Sequence, residues 1–427
     1  MNAAPEAPQA ASAAAAVQIA VDIGSTVVKI ARLNGHGAVS SQQFIARDHA
    51  AGIAAQVEAM LKQSGVALDA DDILVCSSAN GGLRVGIVCL SPHFSGAASR
   101  NQVLLAGANP VFVHSLDEQP GSLEPVDILI VAGGVDCEEH GPLERRLRAF
   151  EPQRYRYGSL VYAGTAGLGA LFTGLFPAAV VIANPLTHSL AGRTLSVFEA
   201  VRRAYLDDLI YKKGVTELRA NLAKGIRPTP EIVSRGFQRA LANSSSIDIS
   251  GACIVLDIGG ATTDLHYTVE IVRDDSEQKP SPGVSVARFV FTDLGIVASR
   301  DSLLLQLRNH PRLYELLDSV LNDEGATYQS IREGEWVPTP PLLSYGCLFI
   351  AFDRFAQGRG PGLPTADLAR VAQIILTGGA SQTLDEQAVA KLFQLFRPHG
   401  AGAPLVTIDR SYQLWVDGIT WSGQAGA

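Results

Sequence analysis

Two short stretches, far apart in the chain, combine the residue types that bind phosphate and magnesium. Each is an apolar, β-branched run that ends in aspartate and continues as glycine with serine or threonine: residues 21–29 (VDIGSTVVK) and residues 256–264 (LDIGGATTD). Glycine lets backbone N–H groups approach an anion, hydroxyl groups add hydrogen-bond donors, and a carboxylate can hold a hydrated Mg²⁺ ion. We therefore interpret both stretches as turns that could clamp one polyphosphate from opposite sides.

Each stretch is predicted to form the turn of a β-hairpin. An apolar strand precedes it, at residues 17–23 and 252–258, and a second hydrophobic stretch follows, at residues 27–33 and 265–272. A single Asp-x-Gly after a strand is often an ordinary turn. Two copies in the same context indicate a duplicated fold in which the turns face each other.

A third stretch, residues 371–381 (VAQIILTGGAS), places Gly378 and Gly379 after another buried strand. Close backbone approach at a glycine pair would let a flat group such as a nucleoside lie against the chain. Taken alone, this pattern is more typical of an ordinary strand-to-helix turn. Together and in this order, the three stretches resemble the phosphate-1, phosphate-2 and adenosine motifs of the superfamily that joins actin, sugar kinases and heat-shock chaperone ATPases.

Further motifs narrow the resemblance to one family. DIGSTxxK is followed by CSSAxGGL at residues 76–83, by DIGGATTDxH up to His266, by DLG at residues 293–295 and by IDRSY at residues 408–412. From about residue 17 to the end, the chain resembles the glutamate mutase accessory proteins of the MutL or GlmL type, which are unrelated to the mismatch-repair protein MutL. The resemblance implies an ATP-dependent, chaperone-like accessory or reactivating factor for an adenosylcobalamin-dependent mutase.

The resemblance also implies slow, Mg²⁺-dependent ATP hydrolysis in a cleft between two domains. Asp22 would orient the water shell of the metal, while Ser25, Thr26 and the adjoining N–H groups, including that of Gly24, would hold the β-phosphate. Lys29 lies seven residues after Asp22, the offset at which actin carries a phosphate-contacting lysine in its similar motif. It would neutralise charge on the β- and γ-phosphates.

The second and third motifs would cover the rest of the nucleotide. Asp257 is the candidate for ordering the attacking water or for contacting the second face of the metal shell, because positioning and charge stabilisation supply most of phosphoryl-transfer catalysis. Asp264 is an alternative carboxylate, and both assignments of the base remain open. Gly378 and Gly379 would back the adenosine. The residues expected to cover the γ-phosphate are Gly259, Gly260, Thr262 and Thr263.

Strands alternate with helical stretches along the chain, which predicts an α/β fold. The pattern predicts strands at residues 73–77 and 84–90, and a helix at residues 196–213, where apolar side chains recur at helical spacing. A further helix is expected to begin at Thr229 and Pro230, a cap followed by a proline at the first helical position. With the resemblance, this indicates two duplicated actin-like (ribonuclease H-like) ATPase domains around a nucleotide cleft.

Arithmetic along the chain suggests where these domains lie. We expect ATPase domain I at residues 17–245 and ATPase domain II at residues 246–427, after a predicted disordered tail at residues 1–16 that is rich in alanine, proline and serine. Domain I then exceeds a minimal actin-like half. Residues 101–184 are therefore expected to form an insertion, which could bind a partner or simply elaborate the edge of the sheet.

Composition indicates a soluble cytoplasmic chain and disfavours several function classes. The 427 residues are 47% hydrophobic, enough for two sizeable cores, and the net charge of −8 disfavours nucleic acid as a partner. The basic run from Arg145 to Tyr157 could form an anion-binding patch, but a solvated helix face is favoured. Neither a membrane-length apolar run, nor CxxC spacing, nor a P-loop motif occurs, so membrane, zinc, disulfide and P-loop classes are disfavoured.

Two other functions within the superfamily remain open. A small-molecule kinase would need a carboxylate aligned with an acceptor, and an actin-like scaffold protein would need surfaces for self-association. The sequence contains no distinct acceptor motif. The family resemblance therefore favours the mutase accessory factor over both alternatives.

Overall fold

In the computed structural model the chain forms three five-stranded sheets joined by helices. The described residues are 18–24, 27–34, 39–46, 53–65, 73–78, 83–106, 108–118, 124–135, 140–186, 195–213, 225–243, 245, 247–276, 280, 284–320, 328–335, 338–360 and 363–421. All statements about the structure refer to these ranges.

The first sheet contains the first motif. Its strands are β1 (Gln18–Ile23), β2 (Val27–Leu33), β3 (Val39–Ala46), β4 (Ile73–Ser77) and β10 (Ile226–Pro228). Their order is β10-β4-β1-β2-β3. Strand β1 pairs antiparallel with β2 and parallel with β4, so the hairpin turn lies at the edge where parallel β4 also ends.

The second sheet repeats this arrangement strand for strand. It consists of β11 (Cys253–Ile258), β12 (Thr263–Thr268), β13 (Val286–Phe291), β14 (Gln373–Thr377) and β15 (Leu405–Ile408), in the order β13-β12-β11-β14-β15. The hairpin β11-β12 is antiparallel, and β14 pairs parallel with β11. The predicted α/β fold with two duplicated actin-like domains is therefore confirmed.

The third sheet lies within the first half of the chain. It consists of β5 (Arg84–Cys89), β6 (Asn109–Ser115), β7 (Val126–Gly133), β8 (Tyr157–Gly164) and β9 (Val180–Val181). All neighbours are parallel, in the order β6-β5-β7-β8-β9, which is common in doubly wound sheets. This sheet takes in β5, which precedes the start at residue 101 that the sequence predicts for the insertion.

Helices cover these sheets. In chain order they are α1 (Ile53–Gln63), α2 (Ala97–Leu105), α3 (Gly141–Ala149), α4 (Gly169–Leu175), α5 (Ser196–Lys213), α6 (Thr229–Leu241), α7 (Arg300–Asn309), α8 (Leu313–Val320), α9 (Tyr328–Glu333), α10 (Pro340–Gln357), α11 (Glu386–Gln394) and α12 (Gln413–Thr420). Across the described ranges, no helix is both long and apolar enough to cross a membrane.

The third sheet is buried on both faces. On β7, Ile128 and Ile130 face a core shared with the first sheet and with α2 and α5. Leu129 and Val131 point the other way, into a core formed with α3 and α4. Because successive side chains of a strand alternate between faces, an apolar run such as that of β7 fits a sheet covered on both sides.

Helices α6 and α12 cross at backbone contact distance. A Cβ atom at Gly236 of α6 would lie 1.8 Å from the carbonyl oxygen of Leu414, and one at Gly418 of α12 would lie 1.8 Å from that of Ile232. Helix α12 follows the last strand of the second sheet, yet Trp415 packs into a core of the first sheet. The crossing therefore joins the two duplicated units through a contact that only glycine permits.

We expect Gly236→Ala and Gly418→Ala each to lower the thermal unfolding midpoint, because the added methyl group forces the two helices apart at a cost of about 1–3 kcal/mol. The midpoint can be followed by circular dichroism. Gly174→Ala in α4 is the matched control, since a Cβ atom there meets nothing within 4 Å. A helical glycine without neighbours should gain about 0.5–1 kcal/mol on replacement by alanine. Equal midpoints for all three variants would contradict the tight crossing.

Candidate functional site

The three motifs converge on one cavity of about 410 Å³ between the first and second sheets. The predicted site residues that line this cavity are Asp22, Gly24, Lys29, Asp257, Gly259, Gly260, Thr262, Asp264, Gly378 and Gly379. Ser25 and Thr26 lie outside the described residues. The fold thus brings together segments that are more than a hundred residues apart in sequence.

Thr263 is the predicted contact that the structure places elsewhere. Its side chain is buried, and its hydroxyl donates a hydrogen bond to the carbonyl oxygen of Leu294 at 3.0 Å. Side chains alternate along β12, so Thr262 and Asp264 line the cavity while Thr263 points into the protein. The correction to the sequence-based expectation is that Thr263 supports the turn from behind.

The two hairpin turns are closed in the same way. The N–H of Gly24 donates to the carbonyl oxygen of Val27 at 3.0 Å, and the N–H of Gly259 donates to that of Thr262 at 2.9 Å. Asp22 on β1 is the cross-strand neighbour of Lys29 on β2. At the corresponding position of the second hairpin, Asp257 on β11 is the cross-strand neighbour of Asp264 on β12. The duplication thus extends to the turn hydrogen bond, but the charge at one paired position is reversed.

Asp22 is buried and held by three donors. Its carboxylate lies 2.8 Å from Lys29 Nζ, 2.7 Å from Thr229 Oγ1 and 3.4 Å from Cys76 Sγ. Burial alone would raise the pKa of Asp22, but the charge of Lys29 and these hydrogen bonds outweigh it, so the pKa lies below its usual value. Asp22 is therefore a fixed, ionised carboxylate at the end of β1.

Lys29 lies between the two units. Loss of hydration would lower the pKa of Lys29, but the charges of Asp22 and Asp257 and the hydrogen bond to Asp22 raise it. Its ammonium also stands 4.9 Å from the centre of the Tyr412 ring. The lysine is thus charged and oriented, as a contact for phosphate oxygens requires.

Asp257 has an environment that favours its neutral form. Burial raises its pKa to about 7; among its neighbours, Lys29 and Arg288 lower the pKa while Asp264 and Asp22 raise it. Three carboxylates therefore face two cationic side chains around the base of the cavity. A cation bound beside these carboxylates would favour the ionised form of Asp257.

The donor set fits a hydrated Mg²⁺ ion that arrives with a nucleotide. Within the described residues, no group of three or more His, Cys, Asp or Glu side chains is placed to hold a metal ion by itself. Magnesium usually keeps several water ligands and is bound through one or two carboxylates plus substrate phosphates. Asp22 and Asp257 can supply the protein share of such a site.

The second turn, residues 259–262, lines the cavity, and its carbonyl groups are bound from behind. The carbonyls of Gly259, Gly260 and Ala261 all accept hydrogen bonds from a backing segment, residues 294–299. The donors, at 2.6–3.3 Å, are the N–H groups of Ile296, Val297 and Ala298 and the hydroxyl of Ser299. In a trans peptide the carbonyl group of one residue and the N–H group of the next residue point in opposite directions. The N–H groups of Gly260, Ala261 and Thr262 are therefore directed away from the backing segment, an arrangement that can serve as an anion-binding nest.

The DLG motif at residues 293–295 positions this backing segment. Arg354 binds both carboxylate oxygens of Asp293, at 2.9 and 2.7 Å. A Cβ atom at Gly295 would lie 2.5 Å from the carbonyl carbon of Ala261, so only glycine allows the close approach. The sequence shows the motif, and its role in supporting the second turn becomes evident only from the contacts.

The turn after β14 packs directly against Asp257. Gly378 has a φ of +85°, and a Cβ atom there would lie 2.2 Å from Asp257 Oδ1. The next residue, Gly379, is exposed, and a Cβ atom there would meet nothing within 4 Å. The first glycine therefore shapes the carboxylate site, whereas the second leaves open surface at the cavity wall.

Several lining residues are not predicted from the sequence as site residues, among them Phe44, Thr229 and Tyr412. Thr229 was interpreted only as a helix cap, and its hydroxyl instead binds Asp22. Tyr412 adopts a left-handed backbone conformation with a φ of 54° and contacts Lys29, and Phe44 lies 5.3 Å from the Tyr412 ring. A bulky residue with positive φ is strained and often marks a functional site.

The basic run from Arg145 to Tyr157 lies apart from the cavity. Arg146 pairs with Asp117 and Arg148 with Glu144, at 2.7 and 2.8 Å, and Arg154 pairs with Glu151. These side chains are exposed, so the ion pairs contribute little to stability. The arrangement agrees with the favoured interpretation of a solvated, charge-compensated surface.

Comparison with protein families assigns the chain. The family model described as MutL protein matches residues 18–419. The chain belongs to the MutL protein family. Protein MutL from Clostridium tetanomorphum is 27% identical over 248 residues, which are 54% of this chain and 52% of that protein. This MutL-family chain thus spans about half the length of its curated relative.

Solved structures similar to this MutL-family chain include nucleotide-bound proteins. One is the activator of 2-hydroxyisocaproyl-CoA dehydratase from Clostridium difficile with bound ADPNP. It aligns with a TM-score of 0.34 and 9% sequence identity, and the alignment covers 95% of this chain and 92% of that chain. Another is a ROK family glucokinase from Streptomyces griseus in complex with glucose and AMPPNP. It aligns with a TM-score of 0.31 and 12% sequence identity, and the alignment covers 95% of this chain and 98% of that chain. The fold assignment itself rests on the sheet order described above.

We expect Gly378→Ala to weaken binding of Mg-ADP by about tenfold or more, because the methyl group displaces the Asp257 carboxylate and the backbone is strained by about 1–3 kcal/mol. Titration calorimetry measures this. Gly400→Ala is the control, since Gly400 has a φ of +87° but open space around its Cβ position. It should carry the backbone strain and bind Mg-ADP normally. Equal affinities for both variants would argue against the contact with Asp257.

Proposed function

We propose that this chain hydrolyses ATP slowly, with Mg²⁺, in the cavity between the first and second sheets. The observation that carries the proposal is the two-sided arrangement of the cavity. One side contributes a fixed carboxylate and a charged lysine, Asp22 and Lys29, and the other contributes the N–H nest of residues 260–262. Such a pair of surfaces is complementary to a polyphosphate, whose charge is spread over several oxygens.

Each residue has a distinct part in the proposed reaction. The nest of residues 260–262 would bind oxygens of the γ-phosphate, and Lys29 would neutralise charge towards the β-phosphate. Asp257, with a pKa of about 7, would accept a proton from the attacking water. The water oxygen forms a bond to the γ-phosphorus as the bond to the bridging oxygen breaks, giving ADP and phosphate.

Asp22 and Asp257 would hold Mg²⁺ through its water shell, and Thr229 and Cys76 fix the first of these carboxylates. When bound, Mg²⁺ would neutralise charge on the β- and γ-phosphate oxygens. Gly378 and Gly379 would lie along the adenosine. Closure of the cavity would follow, because the nucleotide contacts both sides only when they are close.

We further propose that the hydrolysis serves a partner enzyme, an adenosylcobalamin-dependent mutase of the glutamate mutase type. Membership in the MutL family supports this assignment, and the motifs at residues 76–83 and 408–412 carried the same resemblance at the level of sequence. The third sheet is additional to the duplicated units, and the outer faces of the helices that cover it would be the surface for such a partner.

Asp22→Asn and Asp257→Asn should each reduce ATP turnover by about 100-fold or more, because each removes a charge aimed at the reacting groups while keeping the shape of the side chain. Turnover is measured beside circular dichroism to verify folding. Asp275→Asn is the control, since Asp275 is exposed and does not line the cavity. Wild-type turnover in both site variants would refute the site assignment.

The partner proposal predicts that a mutase inactivated by damaged cobalamin regains turnover when fresh adenosylcobalamin, Mg-ATP and this protein are added. The variants Asp22→Asn and Asp257→Asn should fail to restore it, because the nucleotide can shift the partner only through differential affinity. Release of ADP is followed in parallel across a panel of small metabolites. No recovery, together with ADP release that depends on one metabolite, would favour the kinase function.

A further inference from the structure

Arg288 on β13 joins the cavity to a helix of the first half of the chain. Its side chain is 3% exposed, and its Nε lies 3.1 Å from Asp264 Oδ1, which Nη2 also contacts. Nη1 donates to the carbonyl oxygen of Leu104, near the end of α2. One guanidinium therefore binds both a carboxylate that lines the cavity and the backbone of α2.

The position of Leu104 explains why a cation lies there. The last four carbonyls of a helix lack intrahelical partners, and the helix dipole places partial negative charge at this end. Arg288 supplies both a donor and a positive charge. Helix α2 lies between β5 and β6 in the chain, so the contact is made to a connection between two strands of the third sheet.

A second hydrogen bond ties the same face of the second sheet to the first half. His266, the cross-strand neighbour of Arg288, lies with Nδ1 2.9 Å from Ser234 Oγ on α6. His266 is fully buried. Two polar side chains next to each other on β12 and β13 thus engage two different helices, α2 and α6.

We propose that Arg288 is a positioning residue that couples the polyphosphate site to α2 and, through α2, to the third sheet. An unpaired charge is costly in a buried site, so a displacement of Asp264 is expected to carry Arg288 with it. A ligand that fixes Asp264 therefore fixes the end of α2. This inference rests on the proposed nucleotide site and adds the route by which that site affects the third sheet and the helices that cover it.

Replacement of Arg288 by lysine distinguishes the ion pair with Asp264 from the hydrogen bond to Leu104. A guanidinium is a planar fork that can bind a carboxylate and a carbonyl together, whereas an ammonium is a point charge on a shorter reach. Arg288→Lys should retain the ion pair with Asp264 and lose the hydrogen bond to Leu104. The coupling should then disappear while nucleotide binding persists.

Hydrogen exchange of the full-length protein with and without Mg-ADP tests the coupling. In the wild type, Mg-ADP should slow exchange in residues 97–105 by about fivefold or more, the lower range of allosteric couplings. In Arg288→Lys, Mg-ADP should still bind within about threefold of the wild-type affinity, as RT ln 3 is under 1 kcal/mol. The slowing in residues 97–105 should be absent, while α11 serves as an internal reference.

Arg312→Lys is the matched control. Arg312 binds Glu315 through Nε at 2.9 Å and the carbonyl oxygen of Leu395 at 2.8 Å, so it also joins a carboxylate to a carbonyl. It does not line the cavity. Arg312→Lys should keep the full response of α2 to Mg-ADP, because the guanidinium of Arg312 takes no part in the proposed route.

The outcomes separate this inference from the proposed function. If calorimetry shows Mg-ADP bound to the wild type and exchange in residues 97–105 does not change, the coupling is refuted and the nucleotide site stands. If Mg-ADP does not bind the wild type, both fail. An unchanged α2 response in folded Arg288→Lys also refutes the inference. If Arg288→Lys does not fold, two other measurements decide the question. The wild type should show slower exchange in residues 97–105 with Mg-ADP, and Asp264→Asn should lose this response.

Discussion

The arrangement of the cavity depends on the cost of burying charge. An ionised carboxylate away from water is tolerated only when a cation or several donors face it. Asp22 meets this condition through Lys29 and Thr229, and Asp264 through Arg288. Each partner comes from a neighbouring strand or helix, so the hairpin registers and the placement of α6 are constrained together. The elements around the cavity are arranged so that these charges are compensated.

The duplicated hairpins place unlike charges at matching positions. Lys29 follows Asp22 at the same cross-strand position at which Asp264 follows Asp257. In the first unit the cross-strand neighbour of the aspartate is a cation, Lys29, whereas in the second unit it is a further carboxylate, Asp264, which is bound by Arg288 of β13. The two hairpins therefore have the same backbone arrangement and different charges: the first brings a carboxylate together with a lysine, and the second brings two carboxylates together with the backbone of the second turn.

Local sequence patterns predicted the helices and strands well. They did not predict contacts between residues that are far apart in the sequence. The strand at residues 73–77 and the helix at 196–213 have the predicted bounds, because each depends on its own periodicity. The side of the turn on which Thr263 lies, and the joining of β5 to the third sheet, depend on partners elsewhere in the chain. The contact between Arg288 and Leu104 spans 184 positions and has no local signal.

Helix α12 has a consequence for how the chain is made. Trp415, Val416 and Ile419 fill a core that also contains Ala20 and Leu74 of the first sheet. During synthesis the first sheet leaves the ribosome long before these side chains exist, although domains generally fold in the order in which they emerge. The part of its apolar surface that these side chains cover is completed only after almost all of the described chain has been translated, so the first sheet cannot reach its final packing while the first half is still nascent.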